Sequence, residues 1–492
     1  MKLKIKKMDF ATGRPVCMIH EKKAKEMSLH VGKRVLIKDK KRKIVSIVDT
    51  VEGIIKPDEI AVSNDIFEAL NLKDNEIVEV ELADKPNSIN IIKKKLKGGI
   101  LNKKEIEEIV RDIADNALTE IEVAFFVSAI YTKGMNLEET GNLTWAMVKS
   151  GNQMKLNGKI ADKHSIGGIA GNRTTPLVVS ICASKGLIIP KTSSRAITSA
   201  AGTTDVMETI AKVNFSINEI KKILKKTNAC MVWGGALGLA PVDDKIIRIE
   251  NIVHIDSTAQ LLASILSKKI SVGSKYVLID IPYGISAKVS LNQAKKLKNK
   301  FMILGKKFNL KINAVLTNGN EPIGNGIGPV LEIKDVLKVL RRENPPKDLE
   351  EKALFLSGKL LELAEEAEKG KGYEVAKNIL ESGLAFKKFK EIIKAQKGKL
   401  NGFPKPKFSF TVHANRNLKL KHYDNKLLNR LARDAGCPED KAAGIYLYKK
   451  KNDEVKKNEA IFTIYTVSKE KLIYAKRFFK KNQKEIIEIE SR

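Results

Sequence analysis

Residues 187–208 read LIIPKTSSRAITSAAGTTDVME, a short apolar run followed by hydroxyls and small side chains around one arginine. An apolar run of this length ending in a hydroxyl-rich turn predicts a strand leading through a loop into a helix. The runs ACMVWGG, YVLIDIPYG, INAVLTNG and PLVVSICASKG recur between helical stretches, so the middle of the chain predicts an α/β domain with a mainly parallel sheet. Ligands of such sheets lie at the carboxyl ends of strands, where helix N-termini offer backbone NH groups. Ser193, Ser194, Thr198, Ser199, Thr203 and Thr204 could surround a phosphate there without bulk, and Arg195 offers a planar fork of donors. A small-residue helix packed on a sheet accounts for Ala200, Ala201 and Gly202 equally well, and spacing alone leaves both readings open.

Two other stretches carry chemistry. KHSIGGIAGNRTTP, residues 163–176, sets Gly167, Gly168 and Gly171 beside Lys163, as in a phosphate-binding loop or a plain turn. HIDSTAQLLASILSKK places Asp256 and Ser257 before a helix on which Ser264 and Lys268 share a face. Its bland reading makes Asp256 an N-cap. The motif GNGIG at 324–328 is read as a loop, and the six histidines form no metal-ligand pattern.

Around this core the chain divides by texture. Residues 1–84 alternate short β-like runs with one helical piece at DIFEALNL, predicting a small β-rich domain of barrel type. KPNSINIIKKKLKGG reads as a linker, and Thr119 with Glu122 and Asn136 with Glu139 have capping-box spacing before amphipathic helices. The expected architecture is thus multidomain α/β: an N-terminal β domain (1–84), a helical domain (87–157, joined by helices from about 241–271), an α/β domain (158–400) and a C-terminal α+β domain (403–492).

Lysine and arginine total 90 against 58 acids, a formal net charge of +32. Such a surface attracts phosphates of any kind, but the charges are scattered and aromatics are only 5%, which argues against a nucleic-acid partner. Four distant cysteines suggest reduced thiols, and no signal peptide or long apolar run is present, so a cytoplasmic protein without membrane association is expected.

The order KHSIGGIAGN, SSRAITSAAGTTDVMET, ASILSKK, TNGNEPIGNGIG resembles the thymidine (pyrimidine-nucleoside) phosphorylase family over about residues 87–492. Ser193, Ser194, Arg195, Ala196, Gly202, Thr203, Asp205 and Glu208 match its signature, with Ala200 and Ala201 where many members have threonine and glycine. Near the C-terminus, DKAAGIYLYKKKNDEVKKNEAIF is similar to a further family pattern in which Asn452 and Asn458 replace turn glycines; asparagine tolerates such φ values best. The β-rich first 84 residues fit the branch that acts on nucleoside 5′-monophosphates.

The resemblance implies phosphorolysis of AMP to adenine and ribose 1,5-bisphosphate, with CMP and UMP as further substrates, by a homodimer or larger oligomer. It implies neither a metal nor an organic cofactor. It assigns nucleotide and phosphate contacts to Gly168, Ser194, Arg195, Ala196, Ile197, Thr198, Ser199, Thr203, Ser264 and Lys288, the inorganic-phosphate loop to Lys163 and Ser165, and the general acid to Asp256. On that reading a poorly solvated Asp256 protonates the departing base while bound phosphate attacks C1′, and Arg195 and Lys288 hold the 5′-phosphate. Thymidine-type enzymes carry an arginine seven residues before the acid, whereas Arg248 lies eight before Asp256, which weakens the rival assignment to unphosphorylated pyrimidine nucleosides. A phosphoribosyltransferase of related fold is a further alternative, lacking here an acidic metal-binding pair near the glycine loop.

Overall fold

Alternation of buried and exposed residues closes the first six strands into a barrel: β1 (Lys2–Lys7), β2 (Val16–His20), β3 (Arg34–Lys38), β4 (Lys43–Val51), β5 (Glu59–Val62) and β6 (Ile77–Leu82). The order β1-β5-β2-β4-β3-β6 leaves no free edge, and Ile5, Ile19, Val35, Ile37, Ile60 and Val80 fill the interior. This computed structural model describes residues 1–10, 14–39, 42–196, 199–253 and 255–491. β5, with the sequence EIAV, is too short to display a period of its own.

The described chain forms two compact units, Met1–Ser150 with Pro241–Gln260, and Gly151–Ala240 with Leu261–Arg492. In the first unit the barrel is followed by helices Ser88–Leu96, Lys103–Ala114, Glu120–Lys133 and Leu137–Lys149, with Pro241–Val253 returning to them. Both expected capping boxes form: Glu122 N donates to Thr119 Oγ1 and Thr119 N to Glu122, and Asn136 and Glu139 do the same. The expected linker is instead partly helical. Ile91 and Ile92 of Ser88–Leu96 are buried, and Lys95 donates to Glu139 over 2.7 Å with both side chains 3% exposed. A lysine used as a buried partner is what made this segment look solvated.

In the second unit, β7 (Ala161–Ser165), β8 (Ile189–Ser193), β9 (Ala229–Trp233), β10 (Tyr276–Tyr283) and β11 (Lys311–Asn318) run parallel. Sheets β11-β10-β7 and β8-β9 join through a bridge between Ile160 and Ile188, so β7 and β8 are neighbours. The run PLVVSICASKG, expected among the strands, is the helix Thr175–Ser184; every face of it is buried, so its apolar pattern carries no helical period.

The C-terminal part is α+β, as expected. Antiparallel strands Phe408–His413, Gly444–Leu447 and Ala460–Thr466 pack with the helix Asn425–Asp434, and the helix Lys469–Ile486 completes the layer. Asn452 and Asn458 have φ of 71° and 67°, the left-handed geometry anticipated for them. The GNGIG segment is not only a loop, since Gly326 and Ile327 pair with Tyr446 and Ile445 of the C-terminal sheet.

Candidate active site

Strand β7 reads ADKHS, and its alternation sends Asp162 and His164 to one face and Lys163 and Ser165 to the other. Asp162 is fully buried and accepts from Lys191 Nζ at 3.1 Å and Lys269 Nζ at 2.5 Å. Burial alone would raise its pKa, but the two ammonium groups overcome this and hold it below the usual carboxylate range. Burial pushes Lys269 down to about 7. Lys191 also donates to the Lys163 carbonyl at 2.9 Å, which joins β8 to β7 beneath the loops. Desolvation, then the surrounding lysines, drives the half-buried His164 well below its ordinary pKa.

Lys163 is only 1% exposed; its Nζ donates to Thr174 Oγ1 at 2.8 Å, and burial lowers its pKa to about 8. The nearby Asp280 carboxylate opposes that shift. Asp280 accepts from Thr317 Oγ1 at 2.6 Å and lies 3.3 Å from Lys352 Nζ, and Ser165 also bonds to it. Lys163 and Ser165 thus converge on one acid at the carboxyl end of the sheet, with Lys163 beneath the glycine loop rather than on its surface.

That loop needs glycine for two separate reasons. Gly168 has φ of 93°, and a Cβ there would lie 3.0 Å from Lys288 Cβ, so two residues assigned to the site on separate loops do meet. At Gly171, with φ of 70°, a Cβ would sit 2.3 Å from the Ile323 carbonyl oxygen.

The second loop follows β8 and is closed into a ring by Asp205, whose Oδ2 accepts from Ala196 N at 2.7 Å and Gly202 N at 2.9 Å. A Cβ on Gly202 would stand 2.6 Å from the Ser194 carbonyl oxygen, so the ring closes only around glycine. Ser199 Oγ donates to the Ala201 carbonyl at 3.0 Å. Ile197 and Thr198 lie outside the described residues, as does His254.

Arg195 differs from expectation. Its Nη1 and Nη2 each donate to Glu208 at 2.8 Å, its guanidinium stacks 5.2 Å from the Trp233 ring centroid, and Nη1 also reaches Asp205. The fork assigned to a phosphate is occupied by the protein's own carboxylate, because the signature places the acid three positions beyond Asp205, where it faces back to the arginine. Hydrogen bonds from Arg195, then Lys441, hold Glu208 down to about 2.

Arg173, which sequence reasoning passed over, joins the two loops. Its Nη1 donates to Thr203 Oγ1 at 2.8 Å, Nη2 to the Ala201 carbonyl at 2.8 Å, and Nε to Glu332 at 2.7 Å. Arg173 stands within the quoted glycine loop and its charge was visible there, whereas Glu332 carries no local signal.

On the helix Thr258–Ser271, Lys268 Nζ donates to Ser264 Oγ at 3.4 Å, realising the shared face. Ser257 Oγ accepts from Gln260 N at 3.1 Å, so Ser257 takes the cap bond that the bland reading gave to Asp256. Asp256 itself is exposed rather than poorly solvated, and belongs to the first compact unit, whereas Ser264 and both loops belong to the second.

The family models that match this arrangement place the chain among the glycosyl transferases. Residues 89–151 match the glycosyl transferase family helical bundle domain, 157–386 its a/b domain, and 419–485 the pyrimidine nucleoside phosphorylase C-terminal domain. The chain is 43% identical to AMP phosphorylase of Pyrococcus furiosus, across 96% of this chain and 95% of that one. It is 45% identical to AMP phosphorylase of Thermococcus kodakarensis (94% and 93% covered) and 41% to that of Methanococcoides burtonii (99% and 97%). The chain belongs to the AMP phosphorylase family. Anthranilate phosphoribosyltransferase from Thermus thermophilus shares the fold, with a TM-score of 0.51 at 15% identity over 62% of this chain and 99% of that one.

The Arg195–Glu208 pair has a definite pH signature. Glu208 is depressed from 4.5 to about 2, so its stabilisation is fully present above about 4.5 and is lost as pH falls through about 2. The stability difference between the parent protein and Glu208→Gln, measured by thermal melting, is therefore constant from neutral pH to about 5 and shrinks below it. A difference that persists unchanged to pH 2 contradicts the pairing.

Proposed function

We propose that this enzyme cleaves the N-glycosidic bond of AMP with inorganic phosphate, giving adenine and ribose 1,5-bisphosphate, and accepts CMP and UMP as further substrates. The observation that carries the reading is the pair of donor-rich loops joined by Arg173 at neighbouring strand ends, which sets two groups of donors side by side. The reaction requires two anions: the attacking phosphate and the 5′-phosphate. The names of the near full-length relatives choose the nucleotide.

Inorganic phosphate binds over the Gly168 loop, above Lys163 and Ser165, with Thr203 on its far side. The charge of Lys163 reaches it from beneath, which a buried ammonium in a low-dielectric site does effectively. The 5′-phosphate is held by Lys288 with Ser194, Thr198 and Ser199, and the Ala196 and Ile197 segment lines the nucleotide. Arg195 keeps that segment in shape through Glu208 rather than gripping the phosphate with both prongs. Ser264 contacts the base. Asp256 is the general acid, and the departing base itself supplies the desolvation that an exposed carboxyl lacks in the unliganded chain.

Bond cleavage builds positive charge on the ribose and negative charge on the base. Protonation of the purine ring nitrogen by Asp256 neutralises the leaving group as phosphate oxygen attacks C1′. The N-terminal barrel mediates assembly into a homodimer or larger oligomer.

Three outcomes test this account. Phosphate-dependent base release is at least tenfold faster from AMP than from thymidine; the reverse order transfers the protein to the pyrimidine-nucleoside reading. Asp256→Asn lowers kcat by about 10² or more with little change in nucleotide affinity, and a near-parental rate removes Asp256 from its role. Deletion of residues 1–84 reduces the sedimentation coefficient beyond the lost mass, and an unchanged assembly state removes the barrel from that task.

A further inference from the structure

We infer that Asn425 and Asn429 are positioning residues, which set the two anion loops at a fixed separation from the C-terminal domain. The inference rests on the proposed function for the identity of the anions, but its geometry is independent of it. Both asparagines lie on the helix Asn425–Asp434, and they are 0% and 4% exposed. Asn425 Oδ1 accepts the backbone NH of Ala170, in the glycine loop, at 3.0 Å. Asn429 Oδ1 accepts the backbone NH of Ala200, in the hydroxyl loop, at 2.9 Å. Residues four apart on a helix lie about 6 Å apart along its axis on one face, so one rigid element fixes a point on each loop.

The remaining contacts extend the same clamp to the third loop of the site. Asn425 Nδ2 donates to Ser286 Oγ at 3.1 Å and to the Gly319 carbonyl at 3.2 Å, and Asn425 N also donates to Ser286 Oγ. Ser286 lies two residues before Lys288, whose backbone closes over Gly168. Ala170 and Ala200 are themselves buried in the apolar core that contains Leu428, Leu431 and Ala432 of the helix. Lys441, from the same domain, adds a 2.9 Å ion pair to Glu208. Every loop assigned to the phosphates in this unit is therefore tied to one C-terminal helix or its neighbour. An asparagine acceptor orients a peptide without adding negative charge beside an anion site, which an aspartate would do.

Such a role divides its effects by loop. In the full-length protein, Asn425→Ala raises KM for inorganic phosphate about tenfold or more, and Asn429→Ala raises KM for AMP by a similar factor, each with kcat changed by less than about threefold. Loss of activity in proportion to the folded fraction, with both KM values unchanged, overturns the inference and leaves the asparagines as ordinary core residues. Where an alanine variant fails to fold, the glutamine variant keeps the amide and moves it outward by one methylene; the same KM criterion applies to it. If the parent protein shows no phosphorolysis of AMP, the functional reading has failed, and equilibrium binding of inorganic phosphate decides the positioning role by itself. Binding about tenfold weaker in Asn425→Ala sustains it, and equal binding overturns it.

Discussion

The guanidinium of Arg173 sets the spacing of the site. It reaches from the glycine loop to Thr203 and Ala201 of the hydroxyl loop while Glu332 holds its third side. The two anion sites proposed on these loops serve a bimolecular reaction only if their separation is constant, because a misplacement of about 1 Å costs large factors in rate. A buried arginine bonded through all three of its guanidinium nitrogens supplies that constancy better than a lysine, whose flexible stem and single charged centre fix no orientation.

Beneath the loops, the sheet carries an unusual weight of buried charge. Asp162 between Lys191 and Lys269, and Asp280 with Lys352 and Thr317, leave each acid with compensation close at hand. Lys163 has less: burial dominates, and its pKa falls to about 8. The phosphate proposed to bind there would complete the compensation that the protein leaves partial at that position. The glycines act on the same geometry from above. Gly168, Gly171 and Gly202 each occupy points where a side chain would collide with Lys288, the Ile323 carbonyl or the Ser194 carbonyl.

Local chemistry was legible in the sequence wherever the partners lie within a few residues. The two capping boxes, the barrel-type alternation of the first 84 residues and the Ser264–Lys268 face follow from spacing, and the left-handed Asn452 and Asn458 follow from the resemblance that sets them where relatives have turn glycines. The helix Thr175–Ser184 was not legible, because complete burial erases the period that identifies a helix. At Arg195 only half of the environment is legible in the sequence. Its isolation among hydroxyls suggested a phosphate, while Glu208, thirteen residues later and within the same signature, was its partner. Asn425, Asn429, Glu332 and Asp280 had no signal at all, since each acts on a loop more than a hundred residues away or on a strand whose neighbour is distant in sequence.

The common α/β scaffold, shared at low identity with a phosphoribosyltransferase, does not distinguish transfer of a ribosyl group to phosphate from its transfer to another acceptor. That distinction resides in what occupies the two loops. It is tested most directly by following AMP and inorganic phosphate with the protein by ³¹P NMR. The account predicts loss of the inorganic phosphate signal in step with adenine release, and one product carrying two phosphorus resonances on the same ribose. Adenine release with inorganic phosphate unconsumed, or no reaction of AMP at all, would contradict it.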